Sequence, residues 1–463
     1  MNESEIDRRI NAMVLFVLIV LLLFVFRLGY LQLFHGAYYL EASNSNRIRQ
    51  IPQLDPRGEI IDSQGLKLAT NEPGFFVSMY PNLLKDARRT VLERLVSILN
   101  PDGSDLEITV EKFEARLYAG RFRRWSPVRL TSKPLKFSDR RILQIEEQRL
   151  ELPSVIIDVQ PVRSYPFGTA FSHLLGAVGK YTGSLADLSN LHGKGLKNYT
   201  IDSIVGRMGL ELVFEFVSPE MSLKGTPGQK VVEVDSTSRI VAELDSTKPV
   251  PGNNIHLTID GELQIIVERW IENYYIPEVL NKFAKNASEM AVVALDPKTG
   301  KVLAWISHPN FSPATLFFDS AAYAASASDK ISNPLVNKVV TAYAPGSIFK
   351  PVMAIAGLKE GVIDAKTRYY CGGRVFDALL GPLGKPCWSK DGHGSQDLTA
   401  ALKNSCNIFF YEIGLRMYRS KGSGTVLDSI ANTAGMLGLG LPTNVYGLHG
   451  SVQEAGVLPT TLR

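Results

Sequence analysis

Ser347 and Lys350 stand three residues apart in APGSIFKPVMAIAGL, residues 344–358. A Pro-Gly pair, Pro345-Gly346, precedes them and signals a turn. Val352, Ile355, Ala356 and Leu358 then have the spacing of one buried helix face. Residues at i and i+3 of a helix share a face, so the serine hydroxyl and the lysine amine should meet at the helix start. There the free backbone N–H groups and the helix dipole favour negative charge on the serine oxygen. A neighbouring amine of lowered pKa is one recognised way to turn serine into a nucleophile. Taken alone, the pair reads better as a helix cap followed by a solvated lysine, because Ser-x-x-Lys is a short and common pattern.

A second pair gives the first its context. LKNSCNIFFYEIG carries Ser405 and Asn407 on alternate positions, 58 residues after Ser347. A serine beside the lysine can relay a proton, and an asparagine amide can bond both a substrate carbonyl and the lysine. Together these groups compose a Ser/Lys/Ser acyl-transfer site that needs no histidine.

The three cysteines fall close to this segment. Cys371, Cys387 and Cys406, with His393, give Cys-x15-Cys-x5-His-x12-Cys, and Cys406 lies between Ser405 and Asn407. Two readings stand open. An exported protein pairs its cysteines, which predicts a Cys371–Cys387 disulfide with Cys406 free. Three thiols and an imidazole are equally the full ligand set of a closed structural zinc site, which would tie the CWSKDGHG loop to the segment of Ser405.

The elements that must position these residues follow from the rest of the chain. At 463 residues it should hold two or three domains, and 45% hydrophobic with 21% charged residues is the composition of a folded protein. A net charge of +4 does not suggest nucleic acid as a partner. From Ala12 to Phe26 the chain is uncharged and apolar, and LGYLQLF continues it beyond Arg27. This predicts a membrane anchor over residues 11–33, with Arg27 snorkelling to the interface. No small-residue cleavage site follows, so the segment reads as an uncleaved anchor with a tail of residues 1–10 inside and the remainder outside the cytoplasm.

Residues 55–71 read as two short extended pieces around a turn at Ser63-Gln64-Gly65. Helices are predicted over 83–99 and 112–125; the second ends in RFRRW, a solvated basic face or a contact for anionic lipid or a partner protein. Strands and loops with short helices follow over 155–228, and PVPGNN, 249–254, reads as a linker. IHLTID then alternates as a strand, a helix runs from Glu262 to about Tyr275, and a hairpin turns at Lys298-Thr299-Gly300.

Ordered along the chain, RGEIIDSQGLKLA, GRMGLE, KGTPG, LTIDGELQ, ALDPKTGKVLAW and YAPGSIFKP resemble the class B penicillin-binding proteins, the membrane-anchored peptidoglycan D,D-transpeptidases. Ser63 stands where that family usually has arginine. The resemblance covers nearly the whole chain and implies an α+β fold. It implies a transmembrane anchor, an elongated β-rich pedestal or dimerisation domain over 34–250, and a penicillin-binding, serine β-lactamase-like transpeptidase domain over 251–463, with helices around an antiparallel sheet. It further implies that Ser347 is acylated by the stem peptide with loss of the terminal D-Ala, that Lys350 is the base, Ser405 the relay and Asn407 the orienting amide, and that β-lactams acylate the same serine.

The Cys-Trp and Gly-His-Gly pieces resemble the elongation-type subgroup, penicillin-binding protein 2. The implied partners are stem peptides, β-lactams, membrane lipid, a SEDS-family glycan polymerase and other membrane proteins of the elongation complex, and the implied place is the bacterial cytoplasmic membrane. No cofactor is required for catalysis, and zinc at Cys371, Cys387, His393 and Cys406 would be structural. The family's third motif, Lys-Thr/Ser-Gly on a strand, follows Ser-x-Asn; here the only KTG is Lys298–Gly300, before Ser347 and at a hairpin turn. The motif is therefore expected beyond Arg463, and a chain lacking it is expected to be inactive, since one oxyanion-hole donor is typically worth about 10²–10³ in rate. Two other classes remain beside the enzyme: a non-catalytic scaffold of the wall-building complex, and a β-lactam receptor signalling across the membrane.

Overall fold

The computed structural model describes residues 3–39, 47–81, 85–120, 127–181, 183, 199, 203–215, 221–234, 240–280, 282, 287, 289–441 and 456–458. The basic stretch at 121–125 lies outside the described residues. Two compact units divide the chain, Met1–Glu262 with Ser312–Ser320, and Leu263–Phe311 with Ala321–Arg463.

The first unit begins with helix α1 (Glu3–Gly29), which runs on as a π-helical stretch over Tyr30–Phe34. Among the described residues, Ile10–Phe34 is the one helix long and apolar enough to cross a membrane, with mean hydropathy 2.8 and none of it buried against the rest of the chain. Its 25 residues span about 37 Å at 1.5 Å each, more than the hydrocarbon core of a bilayer. Near its end the Arg27 guanidinium lies over the Tyr30 ring, 5.5 Å from the centroid.

Beyond the helix, β1 (Ile48–Gln53), β2 (Ile60–Ile61) and β3 (Lys67–Met79) follow. Asp62 closes the turn between β2 and β3 by accepting from the amides of Gln64 and Leu66. Three helices come next: α2 (Lys85–Leu99), α3 (Val110–Ala119) and α4 (Arg140–Glu147). Thr109 caps α3 and Asp139 caps α4, each side chain accepting an amide hydrogen bond in the first turn. The helix predicted from Lys112 thus starts two residues earlier, at the threonine cap. Strand β4 (Val155–Ser164) pairs antiparallel with β3 from Thr70↔Ser164 to Met79↔Val155. Val77, Met79, Leu92, Leu95, Phe113, Leu117, Leu130 and Ile145 fill the core between this ribbon and the three helices. Strands β5 (Gly228–Val234) and β6 (Ile240–Thr247) form a second sheet in the order β1-β5-β6, and β7 (Ile255–His256) pairs parallel with β2.

The sequence pieces RGE and GRMGLE meet in a buried ion network. Arg57 Nε donates to Glu211 Oε2 at 2.8 Å, its Nη1 to Glu215 Oε2 at 2.6 Å, and Arg163 Nε to Glu211 Oε1 at 2.6 Å. Tyr199 adds a hydroxyl to Glu215 Oε1 at 2.8 Å. Glu211 is 0% exposed. Burial pushes its carboxyl up, but Arg163 and Arg57 outweigh that and hold it below the ordinary 4.5.

The second unit opens within helix α5 (Gly261–Trp270), which continues as a wider π-helical stretch, Ile271–Leu280. An antiparallel hairpin follows, β8 (Met290–Leu295) and β9 (Val302–His308). The remainder is a set of helices, α6 (Lys350–Lys359), α7 (Leu398–Lys403), α8 (Asn407–Lys421) and α9 (Ser423–Met436). Between α6 and α7 lie two small ladders: β10 (Tyr369–Cys371) with β13 (Gly394–Gln396), and β11 (Arg374–Val375) with β12 (Lys385–Pro386).

The buried face of α6 departs from the face predicted above. Val352 and Ala356 are buried, but Ile355 and Leu358 are 44% and 43% exposed, and Ala354 and Gly357 are buried in their place. A Cβ on Gly357 would come within 2.8 Å of Ile413 Cγ2, so α8 approaches along the side where α6 is smallest. Close helix packing selected small residues there, and bulk alone misjudged the face.

Candidate active site

Gly346 has φ +57°, a conformation that only glycine adopts freely, and it opens a 3₁₀ turn over Gly346–Phe349. Ser347 is exposed on this turn, and Lys350 is the first residue of α6. The two therefore sit on a 3₁₀-to-α junction, where the spacing had suggested a single helix. Lys350 Nζ lies 3.2 Å from Ser347 Oγ.

The same nitrogen reaches the second segment. It lies 2.8 Å from Ser405 Oγ, 2.7 Å from the Ser405 carbonyl and 2.8 Å from Asn407 Oδ1. The Phe410 ring, 5.7 Å away at its centroid, floors the pocket. Burial pulls the Lys350 amine below the ordinary lysine value of 10.5, against a smaller opposing pull from Cys387 and Cys406. All four residues singled out by spacing thus converge on one nitrogen.

Local backbone geometry explains how Ser405 gets there. Helix α7 ends in a Schellman motif: the Cys406 amide donates to the Ala401 carbonyl at 2.9 Å and the Ser405 amide to Leu402 at 3.1 Å. That motif places its penultimate residue in the left-handed region, and Ser405 has φ +46° where glycine is usual. The turn swings both the carbonyl and the hydroxyl of Ser405 toward Lys350. Asn407 opens α8, and its Nδ2 donates to the Pro386 carbonyl on β12 at 3.4 Å, which leaves Oδ1 facing the lysine.

Cys371, Cys387, His393 and Cys406 also meet. One ligand atom from each lies within 4.8 Å of all the others, and the three cysteines are free thiols, without the Cys371–Cys387 disulfide that was one of the open readings. His393 Nδ1 is 3.5 Å from both Cys371 Sγ and Cys387 Sγ. A tetrahedral zinc ion with Zn–S near 2.3 Å and Zn–N near 2.05 Å requires a sulfur–nitrogen edge of about 3.6 Å, so the donor set and its spacing fit that ion. Burial pushes the Cys406 thiol up. Cys387 is pushed up by burial too, but amide donors of Asn407 and Ser389 outweigh this and bring it below its ordinary value. Gly392 permits the fold-back, since at its φ of +81° a Cβ would lie 2.1 Å from the Cys371 carbonyl.

Lys298–Gly300 forms the hairpin turn, with Thr299 Oγ1 bonded to Asp296 Oδ2 at 2.6 Å and Gly300 at φ +72°. Sequence reasoning passed over Phe410, Gln396 and Asn404, which lie about the site and carry no spacing signal, and it noted Trp388 only within the Cys-Trp piece of the resemblance.

The chain has known counterparts. Residues 52–257 match the Penicillin-binding Protein dimerisation domain and residues 290–454 the Penicillin binding protein transpeptidase domain. The chain is 32% identical to the peptidoglycan D,D-transpeptidase MrdA of Acinetobacter baumannii, over 90% of this chain and 57% of that protein. It is 30% identical to MrdA of Escherichia coli, over 93% of this chain and 62% of that protein. Among solved structures, one reported as the structural coordination of polymerization and crosslinking by a peptidoglycan synthase complex matches with TM-score 0.61 and 25% identity, over 98% of this chain and 70% of that one. The chain belongs to the class B penicillin-binding proteins, in the penicillin-binding protein 2 group. It spans about three fifths of the length of the curated relatives it matches.

Proposed function

We propose that the chain is the anchor, pedestal and acyl-transfer portion of a peptidoglycan D,D-transpeptidase that cross-links stem peptides during wall elongation. The observation that carries this reading is the convergence of Ser347, Ser405 and Asn407 on Lys350 Nζ. The Ser405 carbonyl and Asn407 Oδ1 can only accept, so a neutral Lys350 amine gives its two hydrogens to them. Its single lone pair is then left to accept from one hydroxyl at a time, that of Ser347 or of Ser405. In the proposed reaction Lys350 takes the Ser347 proton as Oγ attacks the carbonyl of the penultimate D-Ala. The peptide bond breaks, an acyl-serine ester forms, and the departing D-Ala amine receives its proton through Ser405. An amine from a second stem peptide then attacks the ester, forming the cross-link and returning the proton to Ser347. The Asn407 amide orients the lysine and the substrate. The set requires no cofactor.

The flanking parts fit this reading. Residues 11–33 would anchor the protein once in the bacterial cytoplasmic membrane, with residues 34–250 as a non-catalytic pedestal and 251–463 on the catalytic side, both outside the cytoplasm. A glycan polymerase of the SEDS family and other elongation-complex proteins are the proposed membrane partners, supported by the similarity to a chain solved within a peptidoglycan synthase complex. Cys371, Cys387, His393 and Cys406 would hold a structural zinc ion, which would cross-link β10, β12 and the start of α8 when bound.

A fluorescent penicillin tests the proposal. The full-length protein should take a covalent label that survives denaturing electrophoresis, and Ser347→Ala should abolish it. A wild-type protein that folds and takes no label would leave only the scaffold reading.

A further inference from the structure

Two hydrogen-bonded struts meet at Asn404, the residue before Ser405. From one side, Trp388 Nε1 donates to the Asn404 carbonyl at 2.9 Å. From the other, Asn404 Nδ2 donates to Gln396 Oε1 at 2.8 Å, and Gln396 Nε2 donates to the His393 carbonyl at 2.8 Å. Both struts root in one stretch, because Trp388 stands edge-on to the His393 ring with centroids 5.0 Å apart. Gln396 is 4% exposed, so its two strut bonds, and a third from its Nε2 to the Ser395 carbonyl at 3.2 Å, are made inside the fold. Trp388 is 65% exposed, yet its single donor is turned inward onto the carbonyl of Asn404, the residue that caps the end of α7. Carbonyls at a helix end have no partner within the helix, so this bond fixes a peptide that would otherwise be free to tilt.

The peptide so fixed is the one that enters the left-handed turn. An L-residue avoids that region, and two Schellman hydrogen bonds at the end of α7 are what hold Ser405 there locally. A tilt of the Asn404–Ser405 peptide would move the Ser405 carbonyl and hydroxyl together, and both lie within 2.8 Å of Lys350 Nζ. We infer that Trp388 and Gln396 are positioning residues, a two-sided clamp on Asn404 that holds the Ser405 turn in register with Lys350. The inference rests on the acyl-transfer reading for its effect on rate; the clamp itself rests only on the four residues described.

Trp388→Phe is the informative substitution, since it keeps an aromatic ring against His393 while it removes the N–H donor together with the smaller ring of the indole. In the full-length protein, two measurements separate the outcomes. Hydrogen exchange should accelerate in peptides covering 404–408 of the variant and stay unchanged in α9. Unchanged exchange at 404–408 overturns the clamp whether or not the protein binds penicillin. Single-turnover acylation by a fluorescent penicillin should slow by about 3–10-fold, the worth of one hydrogen bond, with the half-saturating concentration unchanged. An unchanged acylation rate beside faster exchange, or a change in half-saturation alone, overturns the positioning role. A wild-type protein that takes no label removes the acyl-transfer reading, and exchange still decides the clamp. Gln396→Leu, which cuts the second strut, should slow acylation in the same sense, and the double variant should be slower than either.

Discussion

Lys350 and Ser405 share two contacts, the amine lying 2.8 Å from the hydroxyl and 2.7 Å from the carbonyl of the same residue. The left-handed backbone of Ser405 makes this double approach possible, and it separates the role of the side chain from that of the backbone. Ser405→Ala and Ser405→Gly both delete the proposed relay, so both should lower penicillin acylation by a similar factor. Their stabilities should differ. Glycine escapes a left-handed cost of about 1–2 kcal/mol and gives back about 0.4–1 kcal/mol of unfolded-chain entropy. Ser405→Gly should therefore be the more stable variant by up to about 1.6 kcal/mol, read from parallel denaturant titrations. Equal stability would mean that the turn relaxes in the alanine variant.

Lys350 is held by four oxygen contacts and burial, and a substitution there tests the base. Lys350→Met keeps the stem length and removes the amine, so the acylation rate should fall by about 10²–10⁴-fold, the usual worth of a general base. Lys350→Arg should not rescue it, because a guanidinium remains protonated and cannot accept the Ser347 proton. A labelling time course with each variant reads both outcomes, and retained labelling in Lys350→Met would remove the lysine from the proposed chemistry.

How much of this was legible beforehand depends on range. Ser347 and Lys350 lie within one turn, so spacing alone brought them into reach. The approach of Ser405 to Lys350 crosses 55 positions, and no periodicity encodes it; the resemblance supplied it. Cys371, Cys387, His393 and Cys406 were visible as a donor set because those residue types are few, although free thiols replaced the pairing expected of an exported protein. The clamp on Asn404 had no signal, since Trp388 was visible only within the Cys-Trp piece of the resemblance and Gln396 sits in ordinary polar sequence. The α6 face failed for a physical reason: Gly357 is buried because it is small, which a hydrophobicity pattern scores as a gap.

The donor set predicts a bound metal. Purified full-length protein should carry about one zinc ion per chain, as closed structural sites do. Removal by a strong chelator should lower the melting temperature and expose three thiols to a thiol reagent, and restoring zinc should reverse both. Cys406→Ser should lose metal retention while Cys406 lies outside the four contacts of Lys350, so its metal content is read independently of activity. A metal-free preparation in which two thiols react only after reduction would establish the disulfide instead.

Glu211 predicts how the first unit responds to acid. Its carboxyl is held below 4.5 by Arg163 and Arg57, so the ionised form is worth more in the folded chain than in the unfolded one. Its contribution is complete above pH 4.5 and is lost as the pH falls below that value and through the lower folded-state value. Melting temperature measured from pH 7 downward should therefore drop as the solution passes below pH 4.5. Glu211→Gln removes the titrating group but leaves Arg163 and Arg57 buried beside a neutral amide. The variant should lose about 3–5 kcal/mol at pH 7, as buried pairs do when one partner is removed, and should show a shallower decline in acid. Glu215 still faces Arg57 at 2.6 Å, so Arg163, left with the Gly58 carbonyl at 2.7 Å, bears most of the loss. A variant with the wild-type acid slope would assign the titration to another carboxylate.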